Sequence, residues 1–143
     1  MDDDLKSIAA ARRCAEDSLT AYQQFLGTDP AHVDAIVEAM AAAIEPEAAR
    51  LAEMAVAETG YGNAADKRVK DRMNARETSK WLRDVKTLGM LWRDDATKIA
   101  AFGEPMGVVA ALIPVTNPCS TIIFKVLSAV KAGNAIVCAP HPR

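Results

Sequence analysis

Asn117 stands between Thr116 and Pro118, where an apolar run ends and a helical pattern begins. A carboxamide at such a junction has two uses. Its oxygen can cap the helix by accepting a backbone N–H near Ser120, the usual task of Asn in front of a helix. Its nitrogen can instead donate to an oxygen that gains negative charge during a reaction. Of three thiols, Cys14, Cys119 and Cys138, the latter two are candidate nucleophiles. Cys119 falls in the first turn of that helix, where the dipole lowers a thiol pKa. Cys138 lies in an apolar stretch and reads as a small buried hydrophobe. The three are too far apart for a metal site, and they suggest reduced thiols in a cytoplasmic protein. His141, between Pro140 and Pro142, is a titratable group in a loop. The most basic stretch holds Lys67, Arg68, Lys70, Arg72, Arg76, Lys80, Arg83 and Lys86, interspersed with Asp66, Asp71, Glu77 and Asp84. Mixed signs on one helix read as a solvated face with i,i+4 pairs, a phosphate site being the lesser alternative.

The elements around Asn117 are sharply marked. Val108 to Val115 is almost unbroken apolar sequence, as expected of a parallel strand covered on both faces. Asn117 and Pro118 suit the cap and first position of a helix. Ile122, Ile123, Val126, Leu127 and Val130 carry that helix to a stop at Gly133. A second apolar run, Ala135 to Cys138, completes strand, helix, strand: one βαβ unit. Ligands of such sheets bind beyond the carboxyl ends of the strands. Asn117 sits at that end, with Ile113, Pro114, Val115 and Thr116 before it; Ala139, Pro140 and His141 follow the second strand. The G-x-G-x-x-G fingerprint of common dinucleotide sites is absent.

The front of the chain is helical. Leu5, Ile8, Ala15, Leu19, Tyr22 and Leu26 form one apolar stripe up to Gly27, which reads as core packing rather than a detachable interaction peptide. Asp29-Pro30 opens a second helix over Val33, Ile36, Val37, Met40 and Ile44. Glu45-Pro46 is expected to break it, with a third helix over Ala48, Leu51, Ala52, Ala55 and Val56 ending at Gly60 and Gly62. Asn63 caps a fourth, with Asp66 near the positive end of its dipole; it holds Val69, Met73, Trp81, Leu82 and Val85 and closes at Gly89. Lys98 to Phe102 reads as a short strand, and Glu104-Pro105-Met106-Gly107 as a turn. The expected organisation is therefore helical over 1–89, connecting strand and turn over 90–106, and βαβ over 107–143.

With 143 residues the chain can hold one domain with a real core. A net charge of −2 gives no sign of a nucleic-acid partner. The acidic start Met1-Asp2-Asp3-Asp4 is unlike a secretory signal, and no uncharged run reaches the roughly 20 residues needed to span a bilayer. Dinucleotide-binding sheets need several βαβ repeats. The sequence therefore reads as the front piece of a longer protein, with a strand edge and face left uncovered.

Gly107-Val108-Val109, Ile113-Pro114-Val115-Thr116-Asn117-Pro118, Ala132-Gly133-Asn134-Ala135-Ile136-Val137 and Pro140-His141-Pro142-Arg143 together resemble the aldehyde dehydrogenase superfamily. The likeness extends back through Glu58-Thr59-Gly60 and the preceding helices. Thr116 where most members have Trp, and the Pro-His-Pro-Arg ending, resemble the CoA-acylating branch, which includes acetaldehyde, succinate-semialdehyde and sulfoacetaldehyde dehydrogenases. The resemblance implies an α/β fold: a helical segment, then the first βαβ unit of an aldehyde-dehydrogenase-type dinucleotide-binding domain, which is incomplete here. It implies an oxidoreductase that turns an aldehyde, CoA and NAD or NADP into acyl-CoA and reduced cofactor. Asn117 would donate its amide to the oxyanion formed when a cysteine thiolate attacks the aldehyde. Ile113, Pro114, Val115 and Thr116 would lie along the nicotinamide half, and Ala139, Pro140 and His141 by the adenosine half. A Lys near Ala139 that bonds the ribose in hydrolytic members is missing, which leaves NAD against NADP open. The family's nucleophile lies beyond Arg143, so neither Cys119 nor Cys138 fills its place and the chain alone should be inactive. The implied partners are a small aldehyde and CoA, with a homo-oligomer for the full-length enzyme, and neither nucleic acid, membrane nor metal.

Three alternatives stand beside this. A hydrolytic aldehyde dehydrogenase shares the oxyanion donor, but Thr116 and the His-Pro-Arg ending speak against it. A γ-glutamyl phosphate reductase would need phosphate-binding features that the sequence does not show. A non-catalytic helical interaction module, or truncated remnant, would fit the missing nucleophile.

Overall fold

The computed structural model describes residues 2–142. Met1 of the acidic start and Arg143 of the Pro-His-Pro-Arg ending lie outside the described residues. In chain order the elements are α1 (Asp3–Phe25), α2 (Pro30–Thr59), α3 (Ala64–Arg83), β1 (Gly89–Asp94), β2 (Ile99–Gly103), β3 (Val108–Ile113), α4 (Pro118–Lys131) and β4 (Ala135–Pro140).

The helix boundaries follow local chemistry. Asp29 caps α2 by accepting from Ala31 N at 2.8 Å, with Pro30 in the first position. Gly60 ends it in the left-handed conformation, its N–H on Val56 O. Asn63 caps α3 reciprocally: Oδ1 accepts from Asp66 N at 2.9 Å while Nδ2 donates to Asp66 Oδ2 at 2.7 Å.

One break fails to occur. α2 runs unbroken through Pro46, so the expected second and third helices are one. A proline there removes one N–H bond and crowds the preceding turn, but it does not forbid the helix when packing holds both sides. Alanine-rich sequence favours helix before Pro46, and Glu45 beside it is gripped from α3 by Arg72 and by Arg76, whose Nε and Nη2 lie 2.9 and 2.8 Å from its carboxylate. Arg72 holds the Glu45 carboxyl below the ordinary carboxylate range.

α2, α3 and α4 share the core: Val37, Ala41, Ala75, Leu82, Ile123 and Leu127, flanked by Met40, Ile44 and Val130. α3 contributes an unexpected face. Val69, Met73 and Trp81 are exposed, and its buried residues are Lys67, Asp71, Ala75, Thr78, Ser79 and Leu82. The helix stops at Arg83, so Val85 lies outside it and Gly89 begins a strand. α1 also departs from expectation. None of its residues is buried, and Leu5, Ile8, Leu19 and Leu26 are exposed. It lies against β3 and β4, not in the helical core.

β3 and β4 form a parallel pair, in register from Val108 opposite Ala135 to Ile113 opposite Pro140. In chain order, between α3 and β3, comes an antiparallel hairpin of β1 and β2, two strands where the sequence suggests one. Its turn is closed by Asp94, which accepts from Ala96 N at 2.9 Å and from Thr97 Oγ1 at 2.6 Å. Gly103 ends β2 under the Thr87 carbonyl; a Cβ there would stand 2.0 Å from that oxygen. Asn134 sets the entry to the βαβ unit. Its buried Oδ1 accepts from Met106 N at 2.7 Å and Gly107 N at 3.0 Å, tying the loop before β3 to the loop before β4.

Candidate active site

Asn117 occupies the cap position of α4 but does not cap it: its side chain accepts no backbone N–H of the helix. The carboxamide turns toward α3 instead. Lys70 Nζ donates to Asn117 Oδ1 at 2.8 Å, and Asn117 Nδ2 reaches Thr116 Oγ1 at 3.4 Å. One residue earlier, Lys67 Nζ donates to the Thr116 carbonyl at 2.7 Å. Lys67 is 7 % exposed, so this is a buried ammonium on a backbone oxygen.

Asp71, one turn after Lys67, is buried as well, and its Oδ2 has no hydrogen-bond partner among the described residues. Burial pushes its pKa up, against the opposing pull of Lys67 and Lys70. Ala55, Lys67, Lys70, Asp71, Asn117, Pro118, Cys119 and Ser120 line one narrow crevice at the α4 N-terminus. Lys67 and Asp71, expected on a solvated face, therefore form the floor of the turn that carries Asn117. Only their i,i+4 spacing behind the Asn63 cap hinted at it. The burial comes from α4 landing on α3, a tertiary contact that no local pattern encodes.

The strand-end residues come together. Pro114, Thr116, Ala139, Pro140 and His141 are exposed along the carboxyl ends of β3 and β4, and Val115 is half-buried. The pairings of Leu112 with Ala139 and Ile113 with Pro140 set the two segments side by side. Ile113 differs: its side chain is in the core at 3 % exposure, so it offers no side chain at the strand end. Small or uncharged groups thus stand at the paired strand ends, the side of a parallel sheet where ligands bind.

The thiols do not read as nucleophiles. Cys119 is half-buried, with Sγ 3.7 Å from Leu51 O. Burial first, then the Asp71 carboxylate, push its pKa up, opposite to the lowering that a helix N-terminus suggests. Cys138 is half-buried within β4. Among the described residues no group of three or more His, Cys, Asp or Glu could hold a metal ion, and no helix is long and apolar enough to cross a membrane.

Helices against a parallel βαβ unit, with candidate residues gathered at the strand ends, define part of an α/β dinucleotide-binding domain. The chain belongs to the aldehyde dehydrogenase family, whose pattern matches residues 4–143. It is 44% identical over 128 residues to the acylating sulfoacetaldehyde dehydrogenase of Cupriavidus necator, covering 86% of this chain and 25% of that one. The solved acetylating aldehyde dehydrogenase of Geobacillus thermoglucosidasius superposes with a TM-score of 0.95 at 46% identity, over 99% of this chain and 31% of the other. An engineered glycolyl-CoA reductase solved with bound NADP+ superposes at 0.72 with 27% identity, over 91% and 29%. The chain thus spans about a quarter to a third of the length of these relatives.

Proposed function

We propose that residues 1–143 are the front part of the cofactor-binding domain of a CoA-acylating aldehyde dehydrogenase, and that the complete enzyme converts an aldehyde, CoA and NAD(P)+ into acyl-CoA and NAD(P)H. The observation that carries this reading is the Asn117 carboxamide, released from capping and held at the carboxyl end of β3. Relatives named acylating and acetylating support the CoA-dependent branch. Three free cysteines fit a reducing, cytoplasmic compartment.

In this reading an enzyme thiolate from outside the segment adds to the aldehyde carbon, and the carbonyl oxygen takes up the negative charge. Asn117 Nδ2 donates to that oxygen and stabilises it. Bound NAD(P)+ supplies the hydride acceptor, which leaves a thioester for CoA to displace. The backbone at Ile113, with Pro114, Val115 and Thr116, flanks the nicotinamide side; Ala139, Pro140 and His141 border the adenosine side.

The test is a graft. Residues 1–143 replace the matching segment of the Geobacillus enzyme, and the purified hybrid is given acetaldehyde, NAD(P)+ and CoA. CoA-dependent acyl-CoA formation is expected. A folded hybrid that releases free acid at the same rate with and without CoA would favour the hydrolytic branch and overturn this reading.

A further inference from the structure

Lys67 and Lys70 lie three residues apart on α3, so they share one face of the helix. Both ammonium groups reach the turn between β3 and α4, one to the Thr116 carbonyl and one to Asn117 Oδ1. A lysine has three donors and no acceptor, so it can meet only the oxygen side of a carboxamide. The contact therefore decides which way the amide faces: Oδ1 toward α3, Nδ2 away from it. Nδ2 makes one long contact with Thr116 Oγ1 at 3.4 Å, which leaves its second N–H for another acceptor. An ammonium on Oδ1 also draws electron density from the amide and strengthens its N–H as a donor, because linked hydrogen bonds polarise one another.

The same side of α3 fixes the backbone beneath. Lys67 is buried and has its hydrogen bond to Thr116 O, so the turn cannot shift without stranding a charged group. Asp71 is buried near both lysines; their charges pull its pKa down, but the burial that pushes it up is the larger effect.

We propose that Lys70 is a positioning residue for Asn117: its ammonium holds Oδ1 so that the amide N–H stays aimed at the oxygen that becomes negative, while Lys67 anchors the turn. The proposal rests on the oxyanion reading of Asn117. It concerns an orientation that a cap or a surface ion pair would not need.

Two readouts test it. In the 143-residue chain, nitrogen-15 NMR follows the Asn117 side-chain NH2 pair. Lys70→Met should shift that pair while the β3 and β4 backbone signals stay in place; Lys70→Arg should return it toward its original position, and Arg68→Met should leave it alone. In the grafted enzyme, Lys70→Met should lower kcat about ten- to a hundred-fold, the scale of a misplaced reacting group. KM should stay within about threefold, and Lys70→Arg should recover most of the loss. An Asn117 NH2 pair unmoved by Lys70→Met would overturn the proposal. So would unchanged kcat in a hybrid that Asn117→Ala impairs, and the oxyanion reading would then survive. If Asn117→Ala leaves kcat unchanged, the oxyanion reading falls and takes the positioning role with it.

Discussion

At the scale of single residues, the candidate site is an exchange of partners. Asn117 gives up the helix N–H groups that a capping Asn normally takes and accepts a lysine instead. Its position at a strand–helix junction was readable from Thr116-Asn117-Pro118, because caps and first-turn prolines are local signals. Its partners were not, because Lys67, Lys70 and Asp71 look like any charged helix until α4 packs over them. Asp71 makes a pH prediction. Its folded pKa is raised by burial, so its contribution to stability is fully present below the ordinary carboxylate range and is lost as pH rises through the raised value. Above the raised value the fold must bear a carboxylate charge that burial disfavours. Asp71→Asn should raise the melting temperature at pH 7, and the gain should shrink as the pH is lowered toward 4. Thermal melts across that range check it, and a gain that grows on acidification would contradict it.

At the scale of elements, local rules hold where the local term is large and fail where packing overrides it. The strand from Val108, the helix stop at Gly133 and the Asn63 cap all appear as the sequence suggests. Gly133 is left-handed, and a Cβ there would also stand 2.9 Å from Pro105. Pro46 is the failure. It breaks a rule worth about 3 kcal/mol in an isolated helix, yet α2 continues, held by core alanines and by Glu45 between two arginines. Pro46 is exposed, so restoring its N–H should cost no packing. Pro46→Ala should stabilise the chain by about 1–3 kcal/mol, measured by urea unfolding. β1 escaped notice because Gly89-Met90-Leu91-Trp92-Arg93-Asp94 is short, lacks alternation and leads to a turn closed by Asp94 rather than by glycine. Asn134 carries an element-scale role of its own. Asn134→Ala leaves the N–H groups of Met106 and Gly107 without their acceptor, and should cost about 1–3 kcal/mol in the same assay.

At the scale of the whole molecule, the chain presents more apolar surface than its core absorbs. Trp92, Ile99 and Phe102 project from the hairpin, Leu112 is 76% exposed on β3, and α1 buries no side chain. Large exposed apolar patches and open strand edges associate. Light scattering over a concentration series should show the 143-residue chain growing in mass as it is concentrated; a constant monomer mass would contradict this. The family was legible in the sequence because its motifs fall in the order and spacing that the βαβ unit requires. The substrate was not, since no residue pattern in the chain distinguishes one aldehyde side chain from another. The Asn117 amide as oxyanion donor is tested most directly by kcat of the grafted enzyme with Asn117→Ala. Loss of such a donor typically costs about 3 kcal/mol, so kcat should fall by roughly a hundred- to a thousand-fold with the fold intact. A kcat within twofold of the unmodified hybrid would contradict the account.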